Sequence, residues 1–194
     1  MQNSTKTKQK SRGLITRPLL AGAMAVTALA AANAQAAAVD MFLKIDGIAG
    51  ESQDAKHKGE IQISSFSAGF MATSTRTAGA AIKFSRPTCG PIQFDKVLDT
   101  ASMPLVDALM TSKVLPSATI TFRKAGKDQQ EFYVVTLTDS TVSSFTQGAA
   151  GDVPAETVEF VPRIIQMKYR QQKADGSLGT ASIATVDCTG GQKG

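Results

Sequence analysis

Short runs of apolar residues separated by single polar ones recur from residue 40 onward, and this two-residue period constrains the chain most. Ile61 alternates with Ile63, Ile120 with Phe122, and Val158 with Phe160, while Ile165, Met167 and Tyr169 share one face against Lys168 and Arg170 on the other. A two-residue period is the mark of half-buried β-strands. Strands are expected over about 40–46, 59–67, 81–84, 92–98, 118–124, 131–138, 141–147, 156–160, 164–171 and 181–186. Gly47, Gly50, Gly69 and Gly126 and the ADGSLG stretch supply turns between them. No β-helix-β alternation and no internal repeat interrupts this series, so a doubly wound sheet is excluded. The expectation is a mainly β fold: a small antiparallel β-barrel of two sheets with one short α-helix and a long extended loop.

The helix falls in DTASMPLVDALMTSK. Ser102 reads as its N-cap and Pro104 lies in the first turn, where a missing N–H costs least. Leu105 and Leu109, and Val106 and Met110, lie four apart and are expected to face inward. The long loop is Phe70 to Pro91, rich in Ser, Thr, Ala, Gly and Pro, with no persistent pattern. An excursion of that length in a compact domain needs a functional reason. Residues 51–58, ESQDAKHK, read as a solvent-facing polar crossing with His57 as a solvated side chain.

The first 36 residues form a separate unit. Lys6, Lys8, Lys10, Arg12 and Arg17 come with no acid, and an apolar alanine-rich run follows from Leu19 to Ala32. Ala32-Asn33-Ala34 and Ala34-Gln35-Ala36 both fit a small-x-small cleavage site. That is the layout of a secretory signal peptide, and the apolar run is shorter than the roughly 20 residues needed to span a bilayer. The expected organisation is therefore 1–36 signal peptide and 37–194 β-barrel domain, exported to the periplasm or the extracellular space, with no stable membrane insertion after cleavage.

Removing this segment changes the charge argument. The chain carries a formal +5, but all 16 acids and 16 of the 21 Lys and Arg follow residue 36, so the remainder is neutral. The basic excess belongs to the leader. With no Trp and no basic-aromatic stripe, nucleic-acid binding is excluded. The two cysteines, Cys89 and Cys188, allow one intramolecular bridge in an oxidising compartment; free thiols or an intermolecular bridge are the alternatives.

Catalytic chemistry finds little footing. One histidine cannot make a paired-histidine metal site, nothing shows short zinc-ligand spacing, and neither GxSxG nor a phosphate loop occurs. Asp95 and Asp99 are four apart but lie on a strand-to-turn stretch, and Asp40 and Asp46 flank the first strand as edge residues. No cofactor and no metal are expected, and the domain reads as a structural or interaction module rather than an enzyme.

Four segments carry a resemblance. DMFLKIDGIAGESQDAKHKGEIQISSFSAG from Asp40, ATITFRKAGKDQQEFYVVTLTD from Ala118, VSS at Val142 to Ser144 followed by GDVPAETV, and IIQMKYRQQKADGS from Ile164 resemble, in order, the Hcp (haemolysin-coregulated protein) family of the bacterial type VI secretion system. The resemblance spans about 40–178. It implies a homo-hexameric ring with a central channel, rings stacked into a tube, and small effector proteins carried inside. It further implies that the helix, about Met103 to Thr111, lines the channel, so that Val106, Asp107 and Met110 face cargo. The Phe70–Pro91 excursion, with Phe70, Met71, Arg76 and Arg86, becomes the inter-ring or inter-subunit contact. Two features depart from the family: the cleavable leader, and SRPTCGP in the loop, which introduces Cys89. Both suit an exported, disulfide-stapled interaction domain outside the injection tube, which is the second expectation.

Overall fold

In a computed structural model of the chain, residues 39–124, 129–149 and 151–189 are described. The expected signal peptide at 1–36, the turn expected at Gly126 and the tail from 190 lie outside the described residues.

The main sheet is antiparallel throughout. Its strands are β1 (Val39–Ile45), β2 (Ile61–Ile63), β3 (Ser65–Ser67), β8 (Ile92–Val97), β9 (Val114–Lys124), β10 (Glu131–Gly148), β11 (Ala155–Gln172) and β12 (Leu178–Asp187). Between β3 and β8 come four two-residue strands, β4 (Phe70–Met71), β5 (Ser74–Thr75), β6 (Lys83–Phe84) and β7 (Thr88–Cys89). The pairing order is β2-β1-β9-β10-β11-β8-β3, with β12 also on β11. The two ends of this path, β2 and β3, are consecutive in the chain and separated only by Ser64, whose N–H donates to the Asp95 carbonyl at 2.8 Å. No ladder joins β2 to β3, so covalent continuity through Ser64 links the two edges.

The sequence pattern suggests four short strands where the chain builds two of 18 residues, β10 and β11. Each is interrupted rather than ended. Asp139 adopts φ +50°, and Pro162, which has no N–H to give, pairs across from Ser140. At the same point Arg163 closes an ion pair on Asp139 at 2.8 Å. Along its outer edge β11 carries β8 from Ala155 to Phe160, then β12 from Ile164 onward.

Alternation places Leu43, Ile61, Phe94, Ile120, Leu137 and Phe160 in one core, each essentially free of solvent. Phe94 and Phe160 meet edge to face at 5.1 Å between centroids. The helix α1 (Ser102–Met110) covers part of this core and packs on β10. Its inward face is Ser102, Leu105 and Ala108. Leu109 and Val106 are only half-buried and Met110 is exposed, so the expected inward pairing of Val106 with Met110 is corrected. The apolar stripe follows a spacing of three instead, because a helix on a sheet offers one narrow line of contact. Ser102 is not the N-cap either: Ala101 takes that position with no side-chain bond. The Ser102 hydroxyl is drawn into a buried polar cluster.

That cluster is the main feature that alternation alone conceals. Lys96 follows Ile92 and Phe94 on the inward face of β8, and Glu156 precedes Val158 and Phe160 on the inward face of β11. The two are direct cross-strand partners. Their charged ends meet at 2.6 Å, fully buried. Lys96 Nζ also reaches Asp99 at 2.7 Å, and donates to the Val97 carbonyl and to Ser102 Oγ, both at 2.9 Å. Ser102 Oγ donates to Glu156 at 2.8 Å, and Gln147 Nε2 donates to its other oxygen at 2.8 Å. A buried charge is tolerable only when paired and hydrogen-bonded on every side, and here the set ties the start of α1 to three strands.

The polar crossing at 51–58 is the second correction. It folds back over the outer face of β1 and β9 instead of projecting into solvent. Met41-Phe42-Leu43 breaks alternation because both faces of β1 are covered there: Leu43 enters the core, and Phe42 lies under the crossing, stacked on His57 at 4.3 Å with rings 8° apart. His57 is 5% exposed, which overturns the reading of a solvated side chain. Its Nδ1 lies 2.9 Å from Glu60. Buried Arg123 sits with its guanidinium 4.9 Å from the Phe42 ring and grips Asp54 through both terminal nitrogens, at 2.9 and 2.6 Å. Asp40 adds a contact at 3.3 Å. Bidentate guanidinium–carboxylate pairing is strong and geometrically specific.

Candidate functional site: the arm, its disulfide and the helix face

The Phe70–Pro91 excursion is not irregular. It continues the β3–β8 pairing as one long hairpin. Ser67 faces Gln93, Phe70 faces Cys89, Met71 faces Thr88, and Ser74 faces Phe84. Gly90 N–H donates to the Gly69 carbonyl at 2.8 Å, and Ser85 N–H to that of Thr73 at 2.7 Å. Between these pairs the register slips twice, each time by one residue. Pro91 and Ile92 stand opposite Ala68 alone, and Arg86 and Pro87 opposite Ala72 alone. These are β-bulges, and they are where proline fits within a ladder. Gly79, at φ +79°, turns the tip.

This arm stands clear of the domain. Every residue from Gly69 to Thr88 is exposed. Its apolar side chains are exposed with the rest: Phe70 by 42%, Met71 by 64%, Ile82 by 43% and Phe84 by 73%. Arg76 and Arg86 are on the same arm, also exposed.

At the base of the arm Cys89 is joined to Cys188 in a disulfide, across a sequence separation of 99. Cys188 follows directly on β12, and its N–H donates to the Arg163 carbonyl at 2.8 Å. The bridge therefore ties the arm to the middle of β11. Both cysteines are half-buried and pack on the core.

The second surface is the outer side of α1. Met103 is 62% exposed and Met110 78%, with Asp107 exposed between them and Val106 half-buried. Thus Asp107 and Met110 share an open helix face, whereas Val106 turns partly toward the sheet.

The carboxylates do not converge on a reaction centre. Asp95 accepts from Ser65 at 2.6 Å and from Thr157 at 2.7 Å, and these bonds hold its carboxyl below the usual range. Asp99 points instead to Lys96. Among the described residues, no group of three or more His, Cys, Asp and Glu could hold a metal ion, and no helix is long and apolar enough to cross a membrane.

Comparison with known proteins agrees with this architecture. Residues 42–169 match the family model described as "Type VI secretion system effector, Hcp". The chain is 34% identical over 143 residues to Protein hcp1 of Pseudomonas aeruginosa, covering 72% of this chain and 88% of that protein. The crystal structure of Hcp1 from Salmonella typhimurium superposes with a TM-score of 0.66 at 32% identity, covering 78% of this chain and 96% of that one. A structure described as a type six secretion system protein gives 0.74 at 25% identity, over 80% and 100% of the two chains. The fold, the order of its motifs and the extent of these matches agree: the chain belongs to the Hcp family of type VI secretion system proteins.

Proposed function

We propose that residues 37–194 form the subunit of a hexameric ring, and that rings stack into a type VI secretion tube able to carry small effector proteins. The observation that carries this reading is the arm. A hairpin with four large apolar side chains open to water, held out from a folded domain, is a surface that another protein is built to cover. In a closed ring each copy offers the same pair of unlike surfaces to its neighbours, so the contact is satisfied without leaving an open end. In this reading Phe70, Met71, Arg76 and Arg86 make the contact between subunits or rings, and Asp107 and Met110 on α1 face the channel, with Val106 beside them. The domain's zero formal charge after residue 36 adds no overall repulsion between copies.

A second reading is an exported Hcp-like interaction domain that takes no part in the injection tube. The Cys89–Cys188 bond favours it, since such bonds persist in oxidising compartments. The basic, then apolar, then small-residue layout of 1–36 favours it too. In this second reading 1–36 acts as a signal peptide that directs export and is removed.

The test is the native mass of the 37–194 protein in solution, with negative-stain images of the same sample. A six-fold mass with ring-shaped particles is the expected result. A monomer at high concentration removes the ring reading and leaves the interaction domain. Secretion that continues when the contractile machine is disabled, but stops when 1–36 is deleted, separates the second reading from the first.

A further inference from the structure

The arm has a hinge and a fastener at the same place. The hinge is the inner bulge, where Pro91 and Ile92 face Ala68 alone and the ladder from β3–β8 loses its register. Beyond it the hairpin is held by short contacts between its own two strands: the Gly69–Gly90 and Ser85–Thr73 bonds and the two-residue β4–β7 and β5–β6 ladders. None of the arm from Gly69 to Thr88 is buried against the domain, so packing there does not fix its direction. The fastener is Cys89, the first arm residue that is not exposed. Its sulfur is bonded to Cys188, which is itself held to β11 through Arg163.

We propose that the Cys89–Cys188 bond is a redox latch. Closed, it fixes the direction of the arm against β11. Open, it lets the arm pivot at the inner bulge, so arm-mediated association between copies depends on an oxidising compartment. The assembly half of this proposal rests on the ring reading above; the latch itself does not. Closing the bond takes two protons and two electrons from the two thiols. A dithiol–disulfide exchange protein accepts them: its own disulfide is attacked by one cysteine thiolate, the second cysteine resolves the mixed disulfide, and the donor leaves as a dithiol. In a reducing compartment the two cysteines stay as thiols and the arm stays loose.

The experiment is hydrogen exchange on the exported, natively purified protein, diluted until it is monomeric, with and without dithiothreitol. Association is followed separately by sedimentation at higher concentration. Peptides covering 67–75 and 83–92 are expected to exchange at least about tenfold faster after reduction, while those from the centres of β10 and β11 keep their rates. The double variant Cys89→Ser/Cys188→Ser should reproduce the fast arm without reductant, and both open forms should lose the oligomer that the oxidised protein forms. Equal arm exchange in the two redox states overturns the latch, whatever the mass. Redox-dependent arm exchange with an oligomer that persists after reduction overturns the assembly half. A monomer in every state with a redox-dependent arm supports the latch and removes the ring reading together with the assembly half.

Discussion

Lys96 and Glu156 face each other across β8 and β11 with 2.6 Å between Nζ and Oε2, and neither side chain reaches solvent. Charges placed in a core cost several kcal/mol each in desolvation, and only their mutual attraction and a full set of hydrogen bonds offset it. Lys96→Met should therefore leave Glu156 buried without its counter-charge and destabilise the domain by about 3–5 kcal/mol. The double variant Lys96→Met/Glu156→Leu, which removes both charges, should be far less damaged than the two single changes added together. Urea unfolding of the four proteins gives the coupling directly. Additive losses would mean that the pair does not act as a unit.

Asp54 and Arg123 should make the domain sensitive to acid. The Arg123 guanidinium, and after it the N–H groups of Lys56 and His57, hold the Asp54 carboxyl far below its ordinary value of 3.8. A carboxyl whose folded pKa is depressed adds stability above its unfolded pKa and loses it as pH falls toward the folded value. Asp54→Asn should thus be less stable than the native chain at neutral pH. The gap between the two should narrow steadily as pH drops below about 4. Urea midpoints measured from pH 7 to pH 3 test this; a gap independent of pH would remove Asp54 as its source.

Particular residues show how far the sequence could be read. Alternation at Ile61, Ile63, Ile120, Phe122, Val158 and Phe160 marks inward faces correctly, because a strand has only two sides and the core takes one. The same rule did not reveal the buried pair. Lys96 continues the Ile92, Phe94 phase and Glu156 opens the Val158, Phe160 phase, so each charge stood at a core position. What the pattern lacked was the pairing of two segments 60 residues apart, which only the register supplies. The covered outer face of β1 was equally hidden. Met41-Phe42-Leu43 looks like a simple apolar run, and nothing local says that Arg123 and His57 will enclose Phe42. The arm was misread because Pro87 and Pro91 argue against a strand by local rules, whereas bulges accommodate them. On α1, Met110 was expected to face inward, and its exposure beside Asp107 follows from Leu105 and Ala108 claiming the contact line.

Gly50 is fixed by crowding rather than by a turn. A Cβ there would lie 2.5 Å from the Glu60 carbonyl oxygen and 2.6 Å from Ile61 Cα, both backbone atoms. Its N–H meanwhile donates to Gly59 at 2.9 Å, closing the neck of the crossing that carries Asp54 and His57. Gly50→Ala should force that neck apart and destabilise by about 1–3 kcal/mol. Gly47→Ala has open space around it and meets only the cost of its positive φ. Thermal unfolding of both variants should place Gly50→Ala lower. The reverse order would mean that the crossing closes without this contact.

The two sides of α1 should separate stability from assembly. Leu105 is wholly buried between the helix and the sheet, and Leu105→Ala removes that packing, which typically costs about 2–5 kcal/mol depending on how far the site collapses. Met110 is 78% exposed on the other side, so Met110→Glu should leave the unfolding midpoint within about 0.5 kcal/mol of the native chain. Its effect should fall instead on what the open face meets. If six copies bring this face to a channel, six added carboxylates next to six copies of Asp107 repel one another. Screening by salt weakens that repulsion, so the oligomer of Met110→Glu should be weaker at low salt and recover as salt is added. Sedimentation at two ionic strengths reads the result. An oligomer unaffected by Met110→Glu at either salt would place the helix face away from the channel, whatever holds the copies together.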